Sequence, residues 1–247
     1  MEFVYLLIAL FLGSIGSILL AGTMFALNNK RLEKVSTLLM YYAGGTLLGA
    51  ALLGMIPKSI SLLAPVLVFK TILGGIVFFF LLEKIVLWRS CGNKECERHT
   101  HAAAPIILIG DAFHNAIDGI IIAASFLTSV EMGIFVTISV MFHEIPQELG
   151  DFGILIKSGM SRVRAFWLNA LSGSTAIVTG ILAFYFLDSM KTLIPYALAF
   201  SAASFLYIAL ADLIPEMHKK TTLKDSLLQI LFISAGILTI YIIISQK

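Results

Sequence analysis

Charge is scarce in this chain. Of its 247 residues only 13% are Asp, Glu, Lys or Arg, whereas a water-wetted domain carries about 25%. Seventeen basic and 15 acidic side chains cannot cover a globule of 26.9 kDa in water. A cytosolic enzyme, a nucleic-acid binder and a disordered chain are thereby excluded. Cysteine is scarce as well: Cys91 and Cys96 are too few for a disulfide framework. The net charge of +2 is too small to imply an acidic partner, so only the placement of charge is informative. What is abundant is apolar. Hydrophobic residues make up 59%, 18 residues are Phe, and the mean hydropathy is +0.96. Nineteen glycines fit helices that pack closely in lipid.

A helix needs about 20 largely apolar residues to cross a hydrocarbon core of roughly 30 Å. Such runs occur at about 3–27, 37–56, 65–88, 105–128, 132–157, 165–187, 192–214 and 225–245. The expectation is an all-α integral membrane protein with eight transmembrane helices. Asn28-Asn29-Lys30-Arg31, Pro57-Lys58, Ser158-Gly159 and Pro215-Glu216 punctuate the runs. The first run reads as a span and not as a cleaved leader, because Glu2 is its only early charge and its cations follow it. Thirteen of the 17 Lys and Arg fall on one set of loops, from Lys30 to Lys34, Lys84 to Arg98, Lys157 to Arg164 and Lys219 to Lys224. The positive-inside rule puts those four loops in the cytoplasm and both termini outside. The expected location is the cell's inner membrane. Leu53-Gly54-Met55-Ile56-Pro57 closes the second run, and the similar Ala211-Asp212-Leu213-Ile214-Pro215 closes the seventh. These runs cross in opposite senses, as in a 3+2+3 arrangement of two inverted three-helix units around a central pair.

The central pair carries the chemistry. The fourth run reads Gly110-Asp111-Ala112-Phe113-His114-Asn115-Ala116-Ile117-Asp118-Gly119, and the fifth reads His143-Glu144-Ile145-Pro146-Gln147-Glu148-Leu149-Gly150-Asp151. Five carboxylates and two histidines sit in these stretches. Each ionisable group at mid-bilayer costs about 2.5–3.5 kcal/mol on insertion, so seven cannot face lipid. They must face one another, water or a cation. His114 and Asp118 share a helix face, with Asn115 beside them and Asp111 one turn earlier. His143 pairs with Gln147 at the same spacing, and Glu144 with Glu148. Both histidines lie near mid-span. Imidazole, carboxylate and amide oxygen together suit a borderline divalent ion such as Zn2+ or Fe2+.

With these residues in view, the sequence resembles the Zrt/Irt-like (ZIP) divalent-metal transporters. The family's H-N-x-x-[DE]-G is matched by His114, Asn115, Asp118 and Gly119. Its H-E-x-P-H-E-x-G-D is matched by His143, Glu144, Pro146, Glu148, Gly150 and Asp151, with Gln147 where that branch has His. The seventh run, from Leu206 to Met217, also resembles that branch. The resemblance implies a ZIP fold of eight spans and an elevator-like slide of the central unit. It implies a metal site formed by His114, Asn115, Asp118, His143, Glu144 and the position of Gln147. In relatives with two adjacent sites the acid at Asp118 bridges them. Because an amide oxygen is a weak ligand, one well-formed site with a weaker neighbour is expected, and Asp111, Glu148 and Asp151 are secondary candidates. Where the branch often has Asp and His in its second span, this chain has Ala50 and Gly54. Met55 there reads as core packing before it reads as a soft ligand.

Two further groups are secondary metal candidates. Within the cytoplasmic Cys/His loop at 89–104, Cys91, Cys96, His99 and His101 offer four N/S donors in 11 residues, in a spacing that is no standard zinc finger. Asp212 and Glu216, followed by His218, end the seventh run at the inner side. The leading function is a carrier of divalent transition metal into the cytoplasm, Zn2+ first, with Fe2+, Mn2+ and Cd2+ as further substrates. The metal is cargo and no cofactor is expected, nor is a nucleic-acid partner; the other partners are the lipid bilayer and a second copy in a homodimer. Two alternatives use the same residues. An intramembrane zinc metalloprotease would read His143-Glu144-x-x-Gln147 as a degenerate H-E-x-x-H, and a cation/proton exchanger would use the same acids.

Overall fold

The computed structural model describes residues 2–24, 29–90, 100–157 and 159–245. Among these residues the chain is helical, with short connections and no strands. Eight helical runs follow one another: α1 (Phe3–Met24), α2 (Arg31–Leu62), α3 (Pro65–Ser90), α4 (Thr100–Phe126), α5 (Val130–Lys157), α6 (Arg162–Ser189), α7 (Lys191–His218) and α8 (Leu223–Ser245). Six of them, all but α4 and α5, are long and apolar enough to cross a membrane. α4 and α5 hold the histidines and carboxylates of the central pair, which lower their hydropathy. The polarity of the molecule is reversed. Phe69 and Leu73 of α3 and Leu171 and Leu182 of α6 are exposed, whereas Asp111, Asn115, Asp118, His143, Glu144 and Glu148 are buried. Such a surface fits a hydrocarbon solvent, where only segments that satisfy their own backbone hydrogen bonds persist.

A tight turn joins α4 to α5. The Thr128 and Ser129 N–H groups both donate to the Ser125 carbonyl at 3.1 Å. The Ser129 hydroxyl then caps α5 by accepting from Met132 N–H at 3.1 Å, with Glu131 in the first turn. The two helices are therefore antiparallel neighbours. α6 clamps α4 along its length. Ser172, Thr175 and Thr179 donate to the carbonyls of Leu108, Ala112 and Ala116 at 3.0, 2.8 and 2.7 Å. These hydroxyls recur at three- and four-residue spacing, so one face of α6 grips successive turns of α4. Gly119 permits the approach, since a Cβ there would strike the Ala176 carbonyl oxygen. α2 and α8 meet in a similar way, with Gly45 against the Ile233 backbone and Tyr42 O–H donating to Thr239 at 2.8 Å.

Two prolines that punctuate the sequence lie inside helices. α2 continues through Pro57 to Leu62, and α7 through Pro215 to His218. Each proline follows a stretch of wide π-helical turns, Ala50–Met55 and Ile208–Leu213. The last bond of each stretch spans five residues, from Ile56 N–H to the Ala51 carbonyl and from Ile214 N–H to the Ala209 carbonyl. Proline lacks an N–H and crowds the carbonyl one turn back. A wider turn accommodates both defects without ending the helix. α5 likewise runs unbroken across Pro146.

The Gly119 contact yields a stability prediction. Gly119→Ala is expected to destabilise the fold by about 1–3 kcal/mol, as overpacking against backbone does. Gly74→Ala, where a Cβ meets nothing within 4 Å, serves as the control. Thermal unfolding in detergent should fall for the first and hold for the second; equal transitions would contradict the close α4–α6 contact.

Candidate metal centre

Twelve residues separate His114 from Phe126 at the end of α4, and thirteen separate Val130 from His143 in α5. At 1.5 Å per residue, both imidazoles lie about 18–20 Å from the α4–α5 turn. They meet there. The two Nε2 atoms are 3.2 Å apart. His114 Nε2 is 3.3 Å from Glu144 Oε1 and 3.8 Å from Asp118 Oδ2, and His143 Nε2 is 3.1 Å from Asp118 Oδ2 and 3.6 Å from Glu144 Oε1. Four ligand-type atoms from four side chains thus enclose one point.

The size of that enclosure is informative. Ligands about 2.0–2.1 Å from a tetrahedral Zn2+ lie about 3.3 Å from one another. The five separations above run from 3.1 to 3.8 Å, bracketing that edge. The donor atoms also have free lone pairs. His143 Nδ1 lies 3.0 Å from the Ser139 carbonyl, which can only accept, so Nδ1 carries a hydrogen and Nε2 is the nitrogen turned to the cluster, where it can ligate when unprotonated. Neither oxygen of Asp118 or of Glu144 has a hydrogen-bond partner, although both residues are buried. Among the described residues their ion pairs are with the two histidines. Buried carboxylates without donors call for a cation, because burying unpaired charge costs several kcal/mol. His114 is the one member of the four with accessible surface, 23% of its side chain, so it forms the rim.

Asn115 and Gln147 serve differently. Both turn their amide nitrogens to Asp111 Oδ1, at 2.9 and 3.2 Å. Asp111, Glu144 and Glu148 form a second buried group, with ligand atoms within 4.8 Å of one another. Asp151, half-buried, belongs to neither group. Asp212 and Glu216 are exposed and belong to neither group, and Glu216 pairs with Lys219. Met55 is fully buried in the apolar core. Cys91, Cys96 and His99 lie outside the described residues, as does the side chain of His101. The positioning groups were not singled out from sequence. Ser139 contributes through its backbone, which leaves no residue-type signal. The Ser172, Thr175 and Thr179 spacing, by contrast, is visible in the chain.

These features define an integral, multi-pass helical membrane protein with a buried imidazole–carboxylate cluster. Residues 89–244 match the family described as ZIP Zinc transporter, and the chain belongs to that family. It is 40% identical to the zinc transporter foi of Drosophila melanogaster over 55% of this chain and 19% of that protein. It is 30% identical to the zinc transporter YKE4 of Saccharomyces cerevisiae over 84% of this chain and 70% of that protein. It is also 31% identical to the zinc transporter ZIP13 of Pongo abelii, over 67% of this chain and 50% of that protein. The chain thus spans about a fifth of foi, half of this ZIP13 and over two thirds of YKE4.

A spectroscopic prediction follows from the four-atom enclosure. Co2+ added to the purified protein should give the intense visible bands of tetrahedral coordination. His143→Ala should abolish them, and they should bleach as pH falls, because protonated imidazole cannot ligate. Weak octahedral bands, or bands indifferent to His143→Ala, would contradict the assignment.

Proposed function

We propose that the protein carries divalent transition metal, Zn2+ foremost with Fe2+, Mn2+ and Cd2+ as further substrates, across the membrane into the cytoplasm. The transport site in this reading is His114, Asp118, His143 and Glu144, with Asn115 and Gln147 supporting it through Asp111. The observation that carries the reading is the set of four converging donors, two imidazole nitrogens and two carboxylate oxygens within 4.8 Å of one another, in an apolar interior. The zinc-transporter names of YKE4 and ZIP13 agree with it. A hydrated ion exchanges its water for these donors, and the carboxylates offset the lost hydration.

All eight helical runs span the membrane in this proposal, with both termini outside and the 89–104 segment in the cytoplasm. The π-helical stretches before Ile56-Pro57 and Ile214-Pro215 support the 3+2+3 inverted repeat. The tightly joined α4–α5 pair is the unit that shifts to release the ion inward. An inside-negative potential of 100 mV favours a dication's entry by about 4.6 kcal/mol. Glu144 is one vertex of the cage and Gln147 is turned to Asp111. The Glu and second zinc ligand of an H-E-x-x-H protease are therefore not available as such.

Uptake of radioactive Zn2+ by proteoliposomes tests the reading. The wild type should take up the ion in a saturable way, more weakly at low outer pH. His114→Ala and Asp118→Asn should lower uptake by at least about tenfold. Uptake that survives both substitutions would reject the site.

A further inference from the structure

Positive charge is scarce at the end of the molecule away from the basic loops. Of the 17 Lys and Arg, the four that fall there are Lys58, Lys70, Lys191 and Lys247. Two of these, Lys58 and Lys191, line one cavity of about 610 Å3. It lies between the end of α2, the α4–α5 turn and the first turns of α7, with Leu62 and Leu127 among its walls. The Ser59 hydroxyl ties α2 to α7 there by donating to the Pro195 carbonyl at 2.7 Å. The lining offers the ammonium groups of Lys58 and Lys191 and the hydroxyls of Thr192 and Tyr196, and it contains no acid. Lys58 is half-buried, and its ammonium has no hydrogen-bond or ion-pair partner among the described residues. Lys191 has Asp188 at 3.6 Å, but with 75% and 54% of the two side chains exposed that pair is weak.

We propose that this cavity binds the head group of an anionic phospholipid, with the phosphate held between Lys58 and Lys191. An ammonium is a compact charge that takes phosphate without a fixed geometry. A head group carrying its own amine would need an acceptor carboxylate, and the lining has none. Size favours a lipid over a free phosphate. A water's share of the liquid is roughly 30 Å3, and a phosphate ion needs only a few such shares. A glycerophosphate head group fills far more of the space. The cavity also opens onto apolar surface, since Leu62 in its wall is 52% exposed, which acyl chains would cover. Tyr196, likewise exposed in the lining, is the amphipathic type of ring that concentrates at the lipid–water boundary. The inference rests on the eight-span arrangement and not on the metal cage, because it uses helix ends alone.

The test is native mass spectrometry of the full chain in detergent. The probes are phosphatidylglycerol and a diacylglycerol with the same acyl chains but no phosphate. The wild type should retain the first and not the second. Lys58→Gln/Lys191→Gln should lower retention at least about tenfold, and Lys58→Arg/Lys191→Arg should preserve it. Lys70→Gln, at an exposed lysine outside the cavity, should leave retention unchanged. Unchanged retention in Lys58→Gln/Lys191→Gln, or an equal loss in Lys70→Gln, overturns the site, the latter by showing a general attraction of lipid to lysine. Equal retention of the two probes overturns it as well. Inorganic phosphate is the last arm: lipid displaced by phosphate would assign the lysines to a free anion and overturn the phospholipid. His114→Ala should retain phosphatidylglycerol as the wild type does, so that a failed transport site and a failed lipid site read differently.

Discussion

An ionised carboxylate in an apolar interior must find a positive charge. Asp118 and Glu144 are buried in this protein, accept no hydrogen bond, and have imidazoles as their ion-pair partners among the described residues. Both imidazoles turn their Nε2 atoms to these oxygens. In the proposed function a cation completes the cluster, whose five N–N and N–O separations bracket the ligand spacing of tetrahedral Zn2+. Much of the surrounding structure serves to keep those four donors converged.

Two kinds of helix contact share that task. The α4–α5 turn sets the register that brings His114 opposite His143, and the Ser172, Thr175 and Thr179 hydroxyls fix α4 against α6. The Ser139 carbonyl sets the tautomer of His143. These contacts are short and hydrogen-bonded, which holds donors in place more closely than apolar packing does. The helices α2 and α7 are built otherwise, with π-helical turns ahead of Pro57 and Pro215. There the hydrogen-bond ladder departs from the regular α-helical spacing. The chain thus combines a hydrogen-bonded unit carrying the histidine–carboxylate cluster with helices that have π-helical midsections.

Much of this was legible in the sequence, for a physical reason. An ionisable group inside an apolar run is too costly to be incidental, so His114, Asp118, His143 and Glu144 stood out, and helical spacing put each pair on one face. The class of fold followed from long apolar runs. Other features depend on geometry between helices. Pro57 and Pro215 read as breaks because a proline removes a donor, yet π turns absorb them within continuous helices. Gln147 offers both an oxygen and a nitrogen, and only the position of Asp111 decides that the nitrogen is used. The grouping of Asp111 with Glu148 joins residues 37 apart, which no local periodicity reports. Ser139 acts through a carbonyl that every residue type possesses.

The central claim is that two imidazoles and two carboxylates replace the water shell of the cargo ion. Zinc K-edge X-ray absorption on the full chain loaded with one equivalent of Zn2+ examines that shell directly. The account predicts four nitrogen and oxygen neighbours at about 2.0–2.1 Å, with the outer-shell scattering of two imidazole rings. A first shell containing sulfur at about 2.3 Å, or one without imidazole scattering, would contradict it.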